Sequence, residues 1–185
     1  NSLYYLTNED SDFTYVKKID LTTGKEQIEH KERWDIINFS ISHKGTYETI
    51  TINEEASHKV KVFHRADKTL VKFPKQIQES IVRTVISRSE EQILLYVSND
   101  VSPTDFYVYD IPKKSLQRLT HALPEQLSSD MLVKPRAVRY RAKDGIAIPA
   151  LYYQPKEASQ SNQVPGLIWA HEGSGGQSTR SYDAM

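Results

Sequence analysis

The residues best placed to do chemistry are His171, Glu172 and Gly173, within the stretch WAHEGSGGQ at 169–177. They follow GLIWA at 166–170, a run with a proline before it. A short run that is apolar on both faces is expected as a buried central strand. When such a strand opens onto a Gly-rich turn, backbone N–H groups become accessible at its carboxyl end. That is the edge on which open α/β sheets bind ligands. Donors in that position can stabilise a developing oxyanion, and glycine permits the backbone angles this requires. On its own residues, His171 reads either as a base or as a turn residue with a satisfied hydrogen bond.

Other chemistries fit the sequence less well. The GSGG at 173–176 lacks the spacing of a phosphate loop and has no lysine after it. The remaining histidines, His30, His43, His58, His64 and His121, form no H-x-x-x-H pair, so no zinc site is expected. The acidic turns NED, NEE and SND lack the alternating ligand spacing of a calcium loop. Ser174 is not in a nucleophile elbow, because Glu172 rather than glycine stands two residues before it. No cofactor and no metal are expected.

The elements that must carry this turn are strands. Over the first two thirds of the chain Tyr, Val, Ile, Phe and Thr are abundant, and apolar residues alternate with polar ones. LYYLTNED at 3–10 reappears as ILLYVSND at 93–100, with a weaker copy, ETITINEE, at 48–55. The acidic ends at Asp10, Glu55 and Asp100 give a period of roughly 45 residues, the range of propeller blades. A second element repeats in the same phase: VKKIDLTTGK at 16–25, VKVFHRADKTL at 60–70 and FYVYDIPKKSL at 106–116. Each reads as a strand, a tight polar turn and a short return. A third pairs INFSISHKGTY at 37–47 with RTVISRSEEQI at 83–93, each a strand, a Ser-containing turn and the next strand.

The expected fold is therefore mostly β. It is a partial β-propeller of about two to three four-stranded blades, too few to close a ring. A single β-sandwich with accidental self-similarity is the alternative. Near Leu123 the pattern changes to HALPEQLSSDMLVKPRAV, a Pro-containing linker. Asp144-Gly145 then sits between two alternating runs and reads as a hairpin turn. EASQSNQVP at 157–165 is a polar loop leading to the buried strand. The expected division is blades over 1–130 and the start of a second domain over 131–185.

Composition narrows the function classes. The 24 basic residues balance 24 acidic ones, which gives no support to nucleic-acid binding or electrostatic membrane docking. No run is apolar for the ~20 residues a membrane helix needs. Cysteine is absent, so neither a disulfide framework nor a thiolate metal site is available. The first residues are not a secretory signal. The compartment is left open between cytoplasm and periplasm, and the oligomeric state is not legible. The chain lacks an initiating Met and stops at Met185, soon after the Gly-rich turn, so it is expected to be an excerpt of a longer one.

Taken with the repeats, residues 138–177 resemble the prolyl oligopeptidase family of serine peptidases, which includes dipeptidyl and acylaminoacyl peptidases. Proteins of that family join a β-propeller to a C-terminal α/β-hydrolase domain. VRYRAKDGIAIPALYYQPK is similar to the family's entry hairpin, and PGLIWAHEGSGGQ resembles its Pro-led strand ending in His-Gly-Gly-Pro. The resemblance implies that His171, Glu172 and Gly173 occupy the oxyanion loop. It also implies that the catalytic Ser, Asp and His lie beyond Met185, so that this piece holds no catalytic residue of its own and is inactive alone. Short peptides are the implied substrates, with the propeller restricting access and hydrolysis passing through an acyl-enzyme. The sequence departs from the family pattern in two places: Glu172 replaces a glycine and Ser174 a proline. A carboxylate is unhelpful beside a developing oxyanion unless its side chain points away. Two other readings remain: a propeller-based binding protein with a non-catalytic hydrolase-like tail, and an esterase on the same fold.

Overall fold

A computed structural model describes residues 1–173 and 175–182. Ser174 and the last three residues, Asp183, Ala184 and Met185, lie outside the described residues. The expectation that the catalytic Ser, Asp and His follow Met185 therefore also falls outside them. Strand makes up 44% and helix 4%, which sets the class as mostly β. The chain forms two compact units, residues 1–97 with 105–120, and residues 98–104 with those from 121 on.

Three antiparallel sheets follow one another along the chain. The first comprises β1 (Ser2–Thr7), β2 (Tyr15–Asp20) and β3 (Glu26–His30), in that order. The second comprises β4 (Asp35–Ile41), β5 (Tyr47–Glu54) and β6 (Ser57–His64). A single bridge, Phe63 to Leu70, adds the beginning of a fourth strand. The third is a full four-stranded meander of β7 (Ile81–Ile86), β8 (Gln92–Asn99), β9 (Ser102–Asp110) and β10 (Ser115–Arg118). The expected four-stranded blade is thus complete in the third sheet and abbreviated in the other two. In the second sheet the return after Leu70 runs into Pro74, which has no N–H for a ladder.

The repeat is visible in individual hydrogen bonds. In the β4–β5 turn, Tyr47 N–H donates to Ser42 Oγ at 2.8 Å, Ser42 N–H to the Tyr47 carbonyl at 2.9 Å, and Gly45 N–H to the Ser42 carbonyl at 2.9 Å. In the β7–β8 turn, Gln92 N–H donates to Ser87 Oγ at 3.2 Å, Ser87 N–H to the Gln92 carbonyl at 2.9 Å, and Glu90 N–H to the Ser87 carbonyl at 3.0 Å. Gly45 and Glu90 both hold a left-handed backbone, with φ of 79° and 61°. The turns after β2, β6 and β9 repeat in the same way, with left-handed Gly24, Lys68 and Lys114.

β5 shows why the sheets must stack. Its residues Tyr47, Glu48, Thr49, Ile50, Thr51 and Ile52 are all buried, so both of its faces are covered. With a side-chain period of two, Ile50 and Ile52 point toward the first sheet and join Val16 and Ile36. Tyr47 points the other way, into a larger cluster with Val62, Ile81, Ile93, Leu95 and Tyr109. One helical turn, α1 (Lys75–Gln78), drops Ile77 into that second cluster. The alternating pattern does not signal α1, because a single turn carries too few residues to show a period.

In the second unit, β11 (Arg136–Arg141) pairs with β12 (Ala147–Tyr152). The turn forms where Asp144-Gly145 predicts it. Gly145 has φ 86°, Ala142 N–H donates to the Ile146 carbonyl at 2.9 Å, and Ile146 N–H donates to Asp144 Oδ1 at 3.1 Å. The linker holds one 3-10 turn, Ser129–Met131, where Asp130 N–H donates to Ser128 Oγ at 3.2 Å.

One expectation fails. Residues 166–170 form no strand, and Leu167, Ile168 and Trp169 are 88%, 95% and 67% exposed. A strand exists only when its N–H and C=O groups meet a neighbouring strand, and among the described residues none pairs with this segment.

Candidate functional site

The Gly-rich turn starts from His171, Glu172 and Gly173, all exposed. Gly173 is left-handed, with φ 67°, and reverses the chain there. Gly176 N–H then reaches back toward the Gly173 carbonyl at 3.5 Å. The closure is tight: a methyl group on Gly176 would stand 2.2 Å from the Glu172 carbonyl oxygen and 2.9 Å from His171 Nδ1. Glycine is therefore required at 176 by close approach, and favoured at 173 by its φ.

Beyond the turn, Arg180 Nη2 donates to Asp100 Oδ2 at 2.8 Å. Asp100 closes the third copy of the sequence repeat, where it reads as a turn residue. The structure instead makes it the anchor for the segment that follows the glycines. No sequence signal joins two residues 80 positions apart.

A second cluster lies in the first unit. Glu48 is fully buried on β5, and its Oε1 accepts from His30 Nε2 at 2.8 Å and from Lys68 Nζ at 2.7 Å. Lys68 Nζ also donates to Glu29 Oε1. Arg65 Nε stands 3.6 Å from Glu48 Oε2, and Arg65 Nη2 donates to the Tyr4 hydroxyl at 2.9 Å. The His30 ring packs on Phe63 and Phe39, with centroids 5.1 and 6.0 Å away. Glu29, His30 and Glu48 have the donor types of a metal site, and their ligand atoms lie within 4.8 Å of one another. The Lys68 ammonium already bridges the two carboxylates. Burial pushes the Glu29 carboxyl up, but the Lys68 hydrogen bond and charge outweigh it and hold the group below its ordinary range. Burial lowers Lys68, and its bonds to Glu29 and Glu48 more than offset that, leaving it raised. The cluster neutralises charge inside the unit and offers no exposed nucleophile.

A shallow depression in the first unit is lined by Asn8, Asp10, Ser11, Asp12, Phe13 and Lys31. It is polar and open, and the Ser11 hydroxyl is committed to the Phe13 carbonyl, 2.9 Å away.

The fold defined by these sheets is known in peptidases of the prolyl oligopeptidase type. A puromycin-hydrolysing peptidase of Mycobacterium tuberculosis matches 98% of this chain at 15% identity and a TM-score of 0.76, over 30% of its own length. Prolyl oligopeptidase B of Galerina marginata, solved with a 35-residue hydrolysis and macrocyclisation substrate, matches 80% at 17% identity and 0.64, over 22% of its length. A puromycin hydrolase matches 83% at 12% identity and 0.64, over 24% of its length. The chain thus has the fold of these enzymes' propeller regions, and spans less than a third of each. No family model matches the sequence. No curated protein matches it either.

Proposed function

We propose that this chain is part of a serine peptidase of the prolyl oligopeptidase family. Residues 1–130 supply propeller blades and 131–185 the opening of an α/β-hydrolase domain. The observation that carries this reading is the likeness to the mycobacterial peptidase, which extends over 98% of the chain. The order along the chain of the repeats, the Asp144-Gly145 hairpin and the Gly-rich turn after His171 supports it, because the resemblance implies the same order. The intact protein hydrolyses short peptides through an acyl-enzyme, and the propeller limits entry to small substrates. His171, Glu172 and Gly173 form one wall of the oxyanion hole, acting through backbone N–H groups, with the Glu172 carboxylate turned to solvent. The nucleophile, its base and the acid that orients it come from residues beyond Met185.

The test compares the intact protein with the 185-residue chain on short aminoacyl and peptidyl amides. Turnover by the intact protein, abolished by a serine-directed phosphonofluoridate, with none from the 185-residue chain, is the expected outcome. Inhibitor-sensitive turnover by the 185-residue chain would place the nucleophile before Met185 and overturn the assignment. Hydrolysis of esters but not peptides by the intact protein would make it an esterase on the same fold.

A further inference from the structure

The sheets of the first unit meet at two seams built from different chemistry. Between β4–β6 and β7–β10 the joint is apolar, with nine buried residues including Phe73, Ile77, Ile93 and Leu95. Hydrogen bonds reinforce it: Lys44 N–H donates to Glu90 Oε1 at 2.5 Å, and Lys44 Nζ to the Ser89 carbonyl at 2.9 Å.

Between β1–β3 and β4–β6 the buried aliphatic set is only Val16, Ile36, Ile50 and Ile52, flanked by half-buried aromatic rings. Beside it a fully buried carboxylate, Glu48 of the second sheet, faces Glu29 and His30 of the first. Two carboxylates in one apolar joint repel each other and are poorly solvated, so they remain there only while cations stay with them. Those cations are Lys68 and Arg65, both from the turn that follows β6 of the second sheet. Lys68 sits at a turn in the left-handed conformation, φ 58°, with nearly half its side chain exposed, so its ammonium can leave without unpacking the core.

We infer that the seam between β1–β3 and β4–β6 is a charge-latched joint. The first sheet separates from the second as one unit when the pairs that cross the seam, Lys68 with Glu29 and Glu48 with His30, are lost, while β4–β10 stay folded together.

The groups facing the latch are Glu29 and His30 on β3, Glu48 on β5, Arg65 and Lys68, Tyr4 of β1 through Arg65, and Lys18, whose charge acts on Glu29. Glu29 is depressed in the folded state, so its contribution is present above its unfolded pKa of about 4.3 and is lost as pH falls through the folded value. Lys68 is raised, so its contribution is present below about 10.4 and is lost as pH rises through its folded value. The latch is therefore closed at neutral pH and opens in acid. Glu90 at the other seam also weakens in acid, but the larger apolar cluster there remains.

Hydrogen exchange of the 185-residue chain, corrected for intrinsic rates and followed from pH 7 to pH 3.5, tests this directly. The amides of β1–β3 are expected to lose protection together at a higher pH than those of β7 and β8. At pH 7, Lys68→Met is expected to lower β1–β3 protection on the order of a hundredfold and leave β7 and β8 nearly unchanged. Loss of protection in all three sheets in a single acid transition of the wild-type chain would overturn the inference, even if the variant fails to fold. Unchanged β1–β3 protection in a folded Lys68→Met chain would overturn it as well.

Discussion

Among single residues, Glu90 shows how a repeat keeps its geometry while changing its chemistry. It occupies the left-handed position that Gly45 holds one sheet earlier. A side chain there costs about 1 kcal/mol. The carboxylate offsets that cost by accepting the Lys44 N–H across the seam. Burial works against the charge, but hydrogen bonds from Ser42, Thr46 and Lys44 outweigh it and lower the pKa to about 2. A depressed carboxylate contributes stability above its unfolded pKa, about 4.3, and loses it as pH falls toward 2. Glu90→Gln is therefore expected to melt at a lower temperature than wild type at pH 7, with the gap closing near pH 2. An equal gap at both ends of a pH series of thermal melts would rule out this role. At the Gly-rich turn, Gly176→Ala must displace the Glu172 carbonyl or the His171 ring. If 171–173 line an oxyanion hole, this substitution lowers kcat of the intact enzyme by about 10²-fold with little change in KM. A rise in KM alone would place the turn in ground-state binding.

Among the elements, the middle sheet bears much of the packing, because six successive residues of its central strand are buried and both faces are covered. Ile50 is completely buried between the first and second sheets, and Leu95 between the second and third. Truncating either to alanine is expected to cost about 2–5 kcal/mol, read from urea denaturation. The two should differ in pattern. Ile50→Ala loosens the latched seam and should broaden or split the transition, whereas Leu95→Ala weakens the whole unit. The strands of the first two thirds and their turns were legible in the sequence because alternation and turn chemistry are local signals. The shortened fourth strand after Leu70 was not, since Val71 pairs with Val62 and the chain then leaves the ladder before Pro74. The helical turn at Ile77 was hidden for a similar reason: tertiary burial, rather than propensity, holds it.

Across the molecule, exposure separates the packed sheets from the segments around them. Glu125 and Glu157 lie in exposed segments outside the strands, while Glu48 and Glu90 are buried. A glutamate-specific protease is expected to cut the native chain at Glu125 and Glu157 and to spare Glu48 and Glu90, as mass spectrometry of early fragments would reveal. Trp169 offers a second test. In a Trp34→Phe chain the remaining indole is expected to emit near the wavelength of free indole and to be fully quenched by acrylamide. In the intact protein, where the proposed α/β sheet supplies neighbours for 166–170, the same indole should be shielded. Equal quenching in both would remove the case for a buried strand at that position.

Local sequence was enough to specify the alternating strands of the repeats, the turn at Asp144-Gly145, and a Gly-rich turn after His171. Each of these depends on residues a few positions apart, whose backbone angles and side-chain alternation are dictated locally. Long-range contact was needed to bury Glu48 against His30, Glu29 and Lys68, and to bring Asp100 to Arg180. It also leaves 166–170, apolar as it is, exposed as coil. These outcomes turn on which surfaces meet. A carboxylate becomes an internal ion, and an apolar run becomes a strand, only when residues distant in the chain supply the charge or the hydrogen-bonding edge.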